Sequence, residues 1–249
     1  MSNIIVLGAG MVGRTIAIDL TNKHNVTLAD FSQEALQFSK NKCNLLETLK
    51  LDVTKKEALK QILQPFDLVV CAVPGFLGFE TLKTIIEAKK NVVDISFFSE
   101  NSLELNDLAK QNNVTAIVDC GVAPGMGNII LGYYNQQLKI TDFECLVGGL
   151  PTVKKWPFNY KAPFSPVDVI EEYTRPARYV ENGNLVVKEA LSDMEHVEFK
   201  SVGTLESFNS DGIAFFNFYD ASHQKHERKN LALPWACGIY TSFKTKWFF

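Results

Sequence analysis

Six residues near the start of the chain have the types and spacing of a turn that binds a dinucleotide. The turn comprises Gly8, Ala9, Gly10, Met11, Val12 and Gly13. Gly8 allows a tight turn, Gly10 lets a pyrophosphate approach the backbone, and Gly13 lets a helix pack on the preceding strand. Main-chain N–H groups at the start of that helix would face the phosphates. The alternative is a tight strand–helix turn that binds no nucleotide.

A carboxylate follows this turn at the spacing of roughly 20 residues that a dinucleotide site requires. Asp30 ends the next apolar segment, NVTLAD. It would accept hydrogen bonds from both ribose hydroxyls and repel a 2′-phosphate, so we predict NAD rather than NADP as the cofactor. The next two predicted strands lie in NLLETLKLDVT and DLVVCAVP. We predict further cofactor contacts where they end, at Asp52, Val53, Ala72, Val73, Pro74 and Gly75.

Short apolar segments alternate with amphipathic ones over the first 140 residues. DLVVCAVP is a continuous apolar run, which is typical of a buried parallel strand. SQEALQFSKN has helical spacing, and Ser32 can cap it. Strand and helix in alternation predict an α/β fold, a Rossmann-type doubly wound parallel sheet, which we assign to residues 1–125.

The pattern changes after residue 140. Three segments have the alternation of antiparallel strands: DFECLVGGLP, ARYVENGNLVVKEAL and HVEFKSVGTLESF. The middle one turns at Asn182-Gly183. Between them, SPVDVIEEYTR is predicted to be a helix capped by Ser165, with Pro166 at its first position. We therefore predict a second, incomplete α+β domain over residues 126–213, mostly antiparallel, which carries the substrate.

The composition excludes several classes of protein. A net charge of −3 argues against non-specific binding to nucleic acid or anionic lipid. The five cysteines are widely spaced, which predicts free thiols in a reducing compartment and no metal site. No apolar run approaches the 18 or so residues of a membrane span. We expect a soluble cytoplasmic protein that takes a small-molecule substrate.

Several segments resemble a known family. AVPGFLGFETLKTIIEAKKNVVDISF, VDCGVAPGMGNII, VGGLP and SPVDVIEEYTRPARYVENG are similar to the L-lysine 6-dehydrogenases of the saccharopine dehydrogenase-like superfamily. The resemblance runs from residue 3 to about residue 213. It implies oxidation of the ε-amine carbon of lysine with NAD, to 2-aminoadipate 6-semialdehyde. A saccharopine-type reductase and a non-catalytic dinucleotide-binding remnant are the alternatives. We expect a homo-oligomer when the chain is full length.

Two carboxylates and a lysine are the catalytic candidates. Hydride transfer from an amine carbon needs a deprotonated amine, and hence a base. Asp94 and Asp119 each end a predicted strand, at the sheet edge where α/β folds bind ligands. Either one could hold the ammonium group or accept its proton, or merely cap the next segment. Lys161 could poise a carboxylate, or it could be a solvated loop residue.

Four further residues are predicted to contact the substrate. The glycine-rich segment from Gly121 to Asn128 can turn N–H groups toward a substrate carboxylate, or can act only as a hinge. Arg175 could clamp a carboxylate through two hydrogen bonds, or pair with Glu171 or Glu172. The predicted substrate contacts are Phe76, Gly125, Asn128 and Arg175.

The segment after residue 213 does not follow the resemblance. Relatives continue with Arg-Ser and then T-L-R-Y/W-P-G-H, whereas this chain continues AFFNFYDASHQ. We tested a change of reading frame by back-translation. Tryptophan has the single codon TGG, so a frame shifted one base downstream places a glycine codon at both Trp235 and Trp247. Around Trp235, the shifted codons are compatible with P-G-H-V-E-Y. We therefore predict that residues 214–249 come from a shifted frame, are disordered or packed adventitiously, and leave the protein with weak NAD binding and no lysine oxidation. A genuine aromatic segment that binds a partner or membrane is the alternative.

Overall fold

A computed structural model describes residues 1–153, 155–156 and 160–211, together with the backbone of residues 225–232. The chain divides into two compact units, Met1–Gly121 and Val122–Phe249. The division therefore lies after residue 121, close to the predicted boundary at residue 125. Each unit has its own sheet.

The first unit is a six-stranded parallel sheet with the strand order β3-β2-β1-β4-β5-β6. The predicted doubly wound fold is confirmed. Its elements are β1 (Asn3–Leu7), α1 (Met11–Leu20), β2 (Asn25–Asp30), α2 (Gln33–Lys42), β3 (Glu47–Lys50), α3 (Lys56–Leu63), β4 (Leu68–Cys71), α4 (Gly75–Glu87), β5 (Asn91–Asp94), a 3₁₀ turn (Ser102–Leu105), α5 (Asn106–Asn112) and β6 (Ala116–Ile117).

The core of this unit lies on both faces of the sheet. Successive side chains of a strand point to opposite faces. Ile5 and Leu7 of β1 accordingly belong to one apolar cluster, while Ile4 and Val6 belong to another. All four are at most 3% exposed. Because both faces are buried, the strands are continuously apolar, and the turns at their carboxyl ends rest on a rigid base.

Two of the predicted helix starts can be compared with the structure. Ser32 precedes α2, and its hydroxyl accepts a hydrogen bond from the N–H of Ala35 at 3.2 Å, so this cap is confirmed. Ser165 directly precedes the helix Pro166–Thr174, but its side chain makes no capping hydrogen bond. Pro166 lacks an N–H, which leaves fewer donors for that serine to satisfy.

The second unit contains a six-stranded sheet with the order β10-β11-β12-β8-β9, and with β7 also paired to β12. The turn at Asn182 and Gly183 has positive φ angles of 50° and 75°, so the predicted hairpin is confirmed. The elements are α6 (Met126–Asn135), β7 (Asp142–Val147), α7 (Pro166–Thr174), β8 (Ala177–Glu181), β9 (Asn184–Lys188), β10 (Glu195–Phe199), β11 (Gly203–Asn209) and β12 (Lys225–Ala232).

Strand β12 differs from two of the expectations. It lies within the segment predicted to be disordered or packed adventitiously, yet it pairs with β7, β8 and β11. The expectation of disorder is wrong for residues 225–232. β7 was expected to be antiparallel, but it runs parallel to β12, which the long chain between the two strands permits. Trp235, Cys237 and Trp247 lie outside the described residues, and the frame-shift hypothesis stays a prediction.

Candidate functional site

The glycine turn is packed tightly against the neighbouring strand-to-helix turn. Gly8 has a φ of +104°, and a Cβ there would lie 2.4 Å from the carbonyl oxygen of Ala72. A Cβ on Gly13 would lie 2.0 Å from the carbonyl oxygen of Gly8. Only glycine fits either position, because no side chain can approach backbone oxygen so closely. The fold therefore explains these two glycines without a ligand.

Gly10 is different, since the fold does not require it. Its φ of −64° and ψ of −175° suit any L-residue, and a Cβ there would meet nothing within 4 Å. Gly10 is followed by α1, whose ten residues have no acidic side chain in the first turn. An open backbone position before a helix N-terminus fits a phosphate group. The residues present therefore fit a dinucleotide.

Asp30 connects the second strand to the glycine turn. Its Oδ2 accepts a hydrogen bond from the N–H of Ala9 at 2.6 Å, and its Oδ1 accepts one from the N–H of Ser32 at 2.7 Å. Each carboxylate oxygen has a second lone pair, so Asp30 can still accept from a ribose hydroxyl. Asp30 thus orders the turn as well as offering a ribose contact, a role that the sequence did not indicate.

The other predicted cofactor contacts form two groups. Asp52 accepts hydrogen bonds from the N–H and the hydroxyl of Thr54, chiefly the hydroxyl, which holds the pKa of Asp52 below its usual range. Its principal bonds are thus within its own turn, while Val53 packs against the core. The second group, Ala72, Val73, Pro74 and Gly75, forms the turn from β4 into α4 beside Gly8. Met11 and Val12 are about 40% exposed in the first turn of α1.

Asp94 is a fully buried carboxyl group. It is 0% exposed, and its Oδ1 accepts a hydrogen bond from the N–H of Ser96 at 2.6 Å. Burial raises the pKa of Asp94 to about 7, and the charge of Asp119 contributes to that shift. The bond to Ser96 confirms the capping interpretation as one role for this residue. A pKa near neutrality is typical of functional carboxyl groups.

Asp119 lies beside Asp94 at the same edge of the sheet. The main-chain N–H of the next residue, Cys120, donates to the carbonyl oxygen of Asp94 at 3.0 Å. Asp119 has a left-handed φ of 54° and is partly exposed, unlike Asp94. Backbone in this region is uncommon outside glycine and concentrates at functional sites. The structure therefore brings the two predicted acids together: Asp94 is fully buried, whereas Asp119 is partly exposed, with its Oδ2 atom buried.

Two thiols and a hydroxyl surround this pair. Cys71 is 0% exposed, and its Sγ lies 3.5 Å from the Oγ of Ser96. Burial, followed by the charge of Asp94, raises the pKa of Cys71, and burial also raises that of Cys120. Thiols with raised pKa values are poor nucleophiles. Ser96 was missed in the sequence, although its position two residues after a strand-ending aspartate is a signal that could have found it.

The remaining predicted contacts lie apart from these groups in the chain. Phe76 is in the first turn of α4 in the first unit and is 74% exposed. Gly125 precedes α6 with a φ of 140°, Asn128 lies within that helix, and Lys161 is exposed, all in the second unit. Arg175 pairs with Glu171, with 2.6 Å between Nε and Oε2, so the ion-pair alternative is what the structure shows.

The described side chains form no candidate metal site. Over residues 1–153, 155–156 and 160–211, no three histidine, cysteine or acidic side chains are grouped so as to hold a metal ion. In the same part of the chain, no helix is both long enough and apolar enough to cross a bilayer.

Family models match both units. Residues 4–117 match the saccharopine dehydrogenase NADP binding domain, and residues 121–245 match the saccharopine dehydrogenase C-terminal domain. The chain belongs to the saccharopine dehydrogenase family. The second match passes residue 213, so the family likeness extends farther along the chain than the sequence analysis predicted.

Individual relatives of this family member are distant and longer. Mouse mitochondrial alpha-aminoadipic semialdehyde synthase is 27% identical over 235 residues, covering 88% of this chain and 25% of the relative. Saccharopine dehydrogenase [NADP(+), L-glutamate-forming] of Pyricularia oryzae is 26% identical, covering 74% and 42%. Apo saccharopine dehydrogenase (L-Glu forming) from Saccharomyces cerevisiae shares the fold, with a TM-score of 0.78 and 21% identity over 98% of this chain and 57% of that one. The chain therefore spans less than two thirds of each.

Proposed function

We propose that this protein is an NAD-dependent dehydrogenase that oxidises the amine carbon of lysine or of a closely related amino acid. The observation that carries the proposal is the pairing of Asp94 and Asp119 at the carboxyl edge of the sheet that bears the glycine turn. An edge with a dinucleotide-type turn and a partly exposed carboxylate suits hydride transfer from an amine.

The cofactor would be held by the first unit. The backbone at Gly10 and the start of α1 would contact the pyrophosphate, Asp30 the adenosine ribose, and the turn from β4 to α4 the nicotinamide half. When bound, NAD supplies a hydride acceptor. The family model is described as NADP-binding, but the negative charge of Asp30 supports NAD, because it would repel a 2′-phosphate.

Asp119 is the group that we assign to the substrate amine. It is partly exposed, whereas Asp94 is 0% exposed and cannot touch a ligand without movement. Asp119 would bind the ammonium group and accept its proton, which leaves a neutral amine with a lone pair to support hydride loss. We also propose substrate contacts by Phe76, Gly125, Asn128 and Lys161. Arg175 would have to leave Glu171 before it could bind a substrate carboxylate.

A saccharopine-type reaction is the second candidate. It is supported by the relatives from Pyricularia oryzae and Saccharomyces cerevisiae, which are saccharopine dehydrogenases of the L-glutamate-forming type. Saccharopine carries a secondary amine, which would also bind as a cation at Asp119. The predicted homo-oligomer and cytoplasmic location stay predictions.

A turnover assay tests the proposed function. The purified protein is incubated with NAD or NADP and with L-lysine or saccharopine, and the absorbance of the reduced dinucleotide is followed. With the reading frame restored after residue 213, we expect lysine-dependent reduction of NAD that becomes faster as the pH rises, because the ammonium group must lose a proton. The chain with residues 214–249 in their present form should show no measurable lysine oxidation. Faster turnover of saccharopine than of lysine would favour the second candidate, a saccharopine-type reaction. Dinucleotide binding without turnover of either amine would identify a non-catalytic remnant.

Replacement of Asp30 by alanine tests the choice of cofactor. We expect Asp30→Ala to weaken NAD binding by about tenfold, or about 1.4 kcal/mol, and to weaken NADP binding less, because removal of the charge also removes repulsion. The measurement is calorimetric titration with each dinucleotide.

The matched control for this prediction is Asp67→Ala. Asp67 also accepts a main-chain N–H, that of Asn3 at 2.8 Å, but it does so at the amino end of the sheet. This variant should bind both dinucleotides as the parent does. Tighter binding of NADP than of NAD by the parent would show that Asp30 does not select the cofactor.

A further inference from the structure

One oxygen of the Asp94 carboxyl has no hydrogen-bond partner. Oδ2 is buried and contacts no donor among the described residues, while Oδ1 accepts the N–H of Ser96. The Cys71 thiol lies close enough to lower the pKa of Asp94, but it forms no hydrogen bond with Oδ2 within normal distance and angle limits. A buried carboxylate oxygen without a donor is costly in free energy. Asp94 is therefore more stable in its neutral, protonated form than an exposed carboxyl would be.

The groups that face Asp94 identify what controls its proton. Strand β4 contributes the Cys71 thiol, and the segment after β6 contributes Asp119 and Cys120. The segment after β5 contributes the uncharged Ser96 hydroxyl, and Ser96 in turn packs against Gly78 of helix α4, where a Cβ would lie 2.8 Å from its Cβ. Both thiols have raised pKa values and are neutral at physiological pH. Of these groups, Asp119 is therefore the one whose negative charge opposes ionisation of Asp94.

We propose that Asp94 is a positioning residue that stores a proton beside Asp119 and releases it to solvent when a cationic amine binds at Asp119. The cation offsets the negative charge of Asp119, so the neighbouring Asp94 can ionise. Binding of the ammonium group thus brings one positive charge to the pair, and the proton of Asp94 leaves to solvent. The ionised pair then holds the amine more firmly. This inference rests on the proposed function, because it takes Asp119 as the amine-binding group.

Proton release on binding is the direct test. Calorimetry of L-lysine and of saccharopine is run at pH 7 without dinucleotide, in buffers with different ionisation enthalpies. Because the pKa of Asp94 is about 7, about half of the molecules hold the proton at that pH, and binding should release up to about 0.5 proton. L-Norleucine, which lacks the terminal ammonium group, should release none.

The variant Asp94→Asn cannot ionise at this position. It should bind the amine with no proton release and with an affinity that is independent of pH near neutrality. Asp107→Asn, on exposed helix α5, should behave as the parent does. Unchanged proton release by Asp94→Asn would overturn the proposal. Amine binding by the parent without any release would also overturn it, but would leave the proposed function intact.

A stability measurement tests the stored proton without any ligand. The folded-state pKa of Asp94 lies above its ordinary value of 3.8, so the folded state holds the proton more tightly than the unfolded state does. This contribution to stability is full at low pH and is lost as the pH rises from about 4 to about 7. The melting temperature of Asp94→Asn should therefore rise relative to the parent over that range. A difference in melting temperature that does not change with pH would show that Asp94 stores no proton. In the calorimetric test, absence of amine binding would overturn both the proton release and the proposed substrate.

Discussion

Gly10→Ala is expected to weaken dinucleotide binding by about a hundredfold, or about 2.7 kcal/mol, while the protein stays folded. A Cβ on Gly10 meets no protein atom within 4 Å, and its backbone angles suit alanine, so the melting temperature should stay within about 2 °C of the parent. The added methyl group would occupy the space through which a pyrophosphate approaches the backbone. Calorimetric titration with NAD and a thermal melt of the same sample measure the two effects.

Gly13→Ala is the matched contrast for Gly10→Ala. Its Cβ would lie 2.0 Å from the carbonyl oxygen of Gly8, so α1 would have to move away from β1. Forced overpacking of this kind costs about 1–3 kcal/mol, and we expect the melting temperature to fall by roughly 5 °C. Tight NAD binding by Gly10→Ala would place the pyrophosphate elsewhere and remove the main support for the cofactor site.

In the protein with its reading frame restored, Asp119→Asn should reduce turnover of the preferred amine by about two orders of magnitude or more, the usual effect of removing a positioned base. Asparagine keeps the shape of the side chain and tolerates a left-handed φ, so the backbone at this residue should not change. The loss should appear in kcat and also in the KM for the amine, because Asp119 is assigned both to bind the ammonium group and to accept its proton. The affinity for the dinucleotide should be unchanged. Initial rates over a range of amine concentrations and pH values measure the effect.

Asp107→Asn is the control for this substitution, since Asp107 is an exposed aspartate of the same unit. It should retain the parent rate. Turnover by Asp119→Asn within threefold of the parent would remove this carboxylate from the mechanism. The amine would then need another base, and the exposed Lys161 would be the next residue to replace.

The first unit was predictable because its signals are local. Each strand is an apolar run, each helix has its own period, and the connection of parallel strands through helices leaves few possible topologies. β1 illustrates this, since Ile4 to Leu7 are apolar without interruption and are buried on alternate faces. The glycine turn and Asp30 were found for the same reason, because their spacing along the chain decides their positions.

The second sheet could not be assembled from the sequence, because its pairings are distant. Lys225 lies opposite Asp142 in a parallel ladder, and no local period reveals such a partner. The polar sequence of β12, KHERKNLA, also lacks the alternation that predicts a strand. The burial of individual side chains could not be predicted from the sequence either. Asp94 and Asp119 look alike in the sequence, since each ends an apolar segment, yet the fold buries Asp94 fully and leaves Asp119 partly exposed.

The position of β12 has a consequence for the order in which the chain folds. Most sheet neighbours of the first unit follow one another in the chain through short crossovers, although β1 and β4 do not, so most of these encounters cost little loop entropy. β12 follows β11 closely but must find β7 and β8 across long segments, and contacts of this kind slow folding. During refolding, β8 and β11 would wait with open hydrogen-bonding edges until β12 arrives. Intermolecular pairing through those edges is then the main competitor of folding, so the refolding yield should fall as the protein concentration rises.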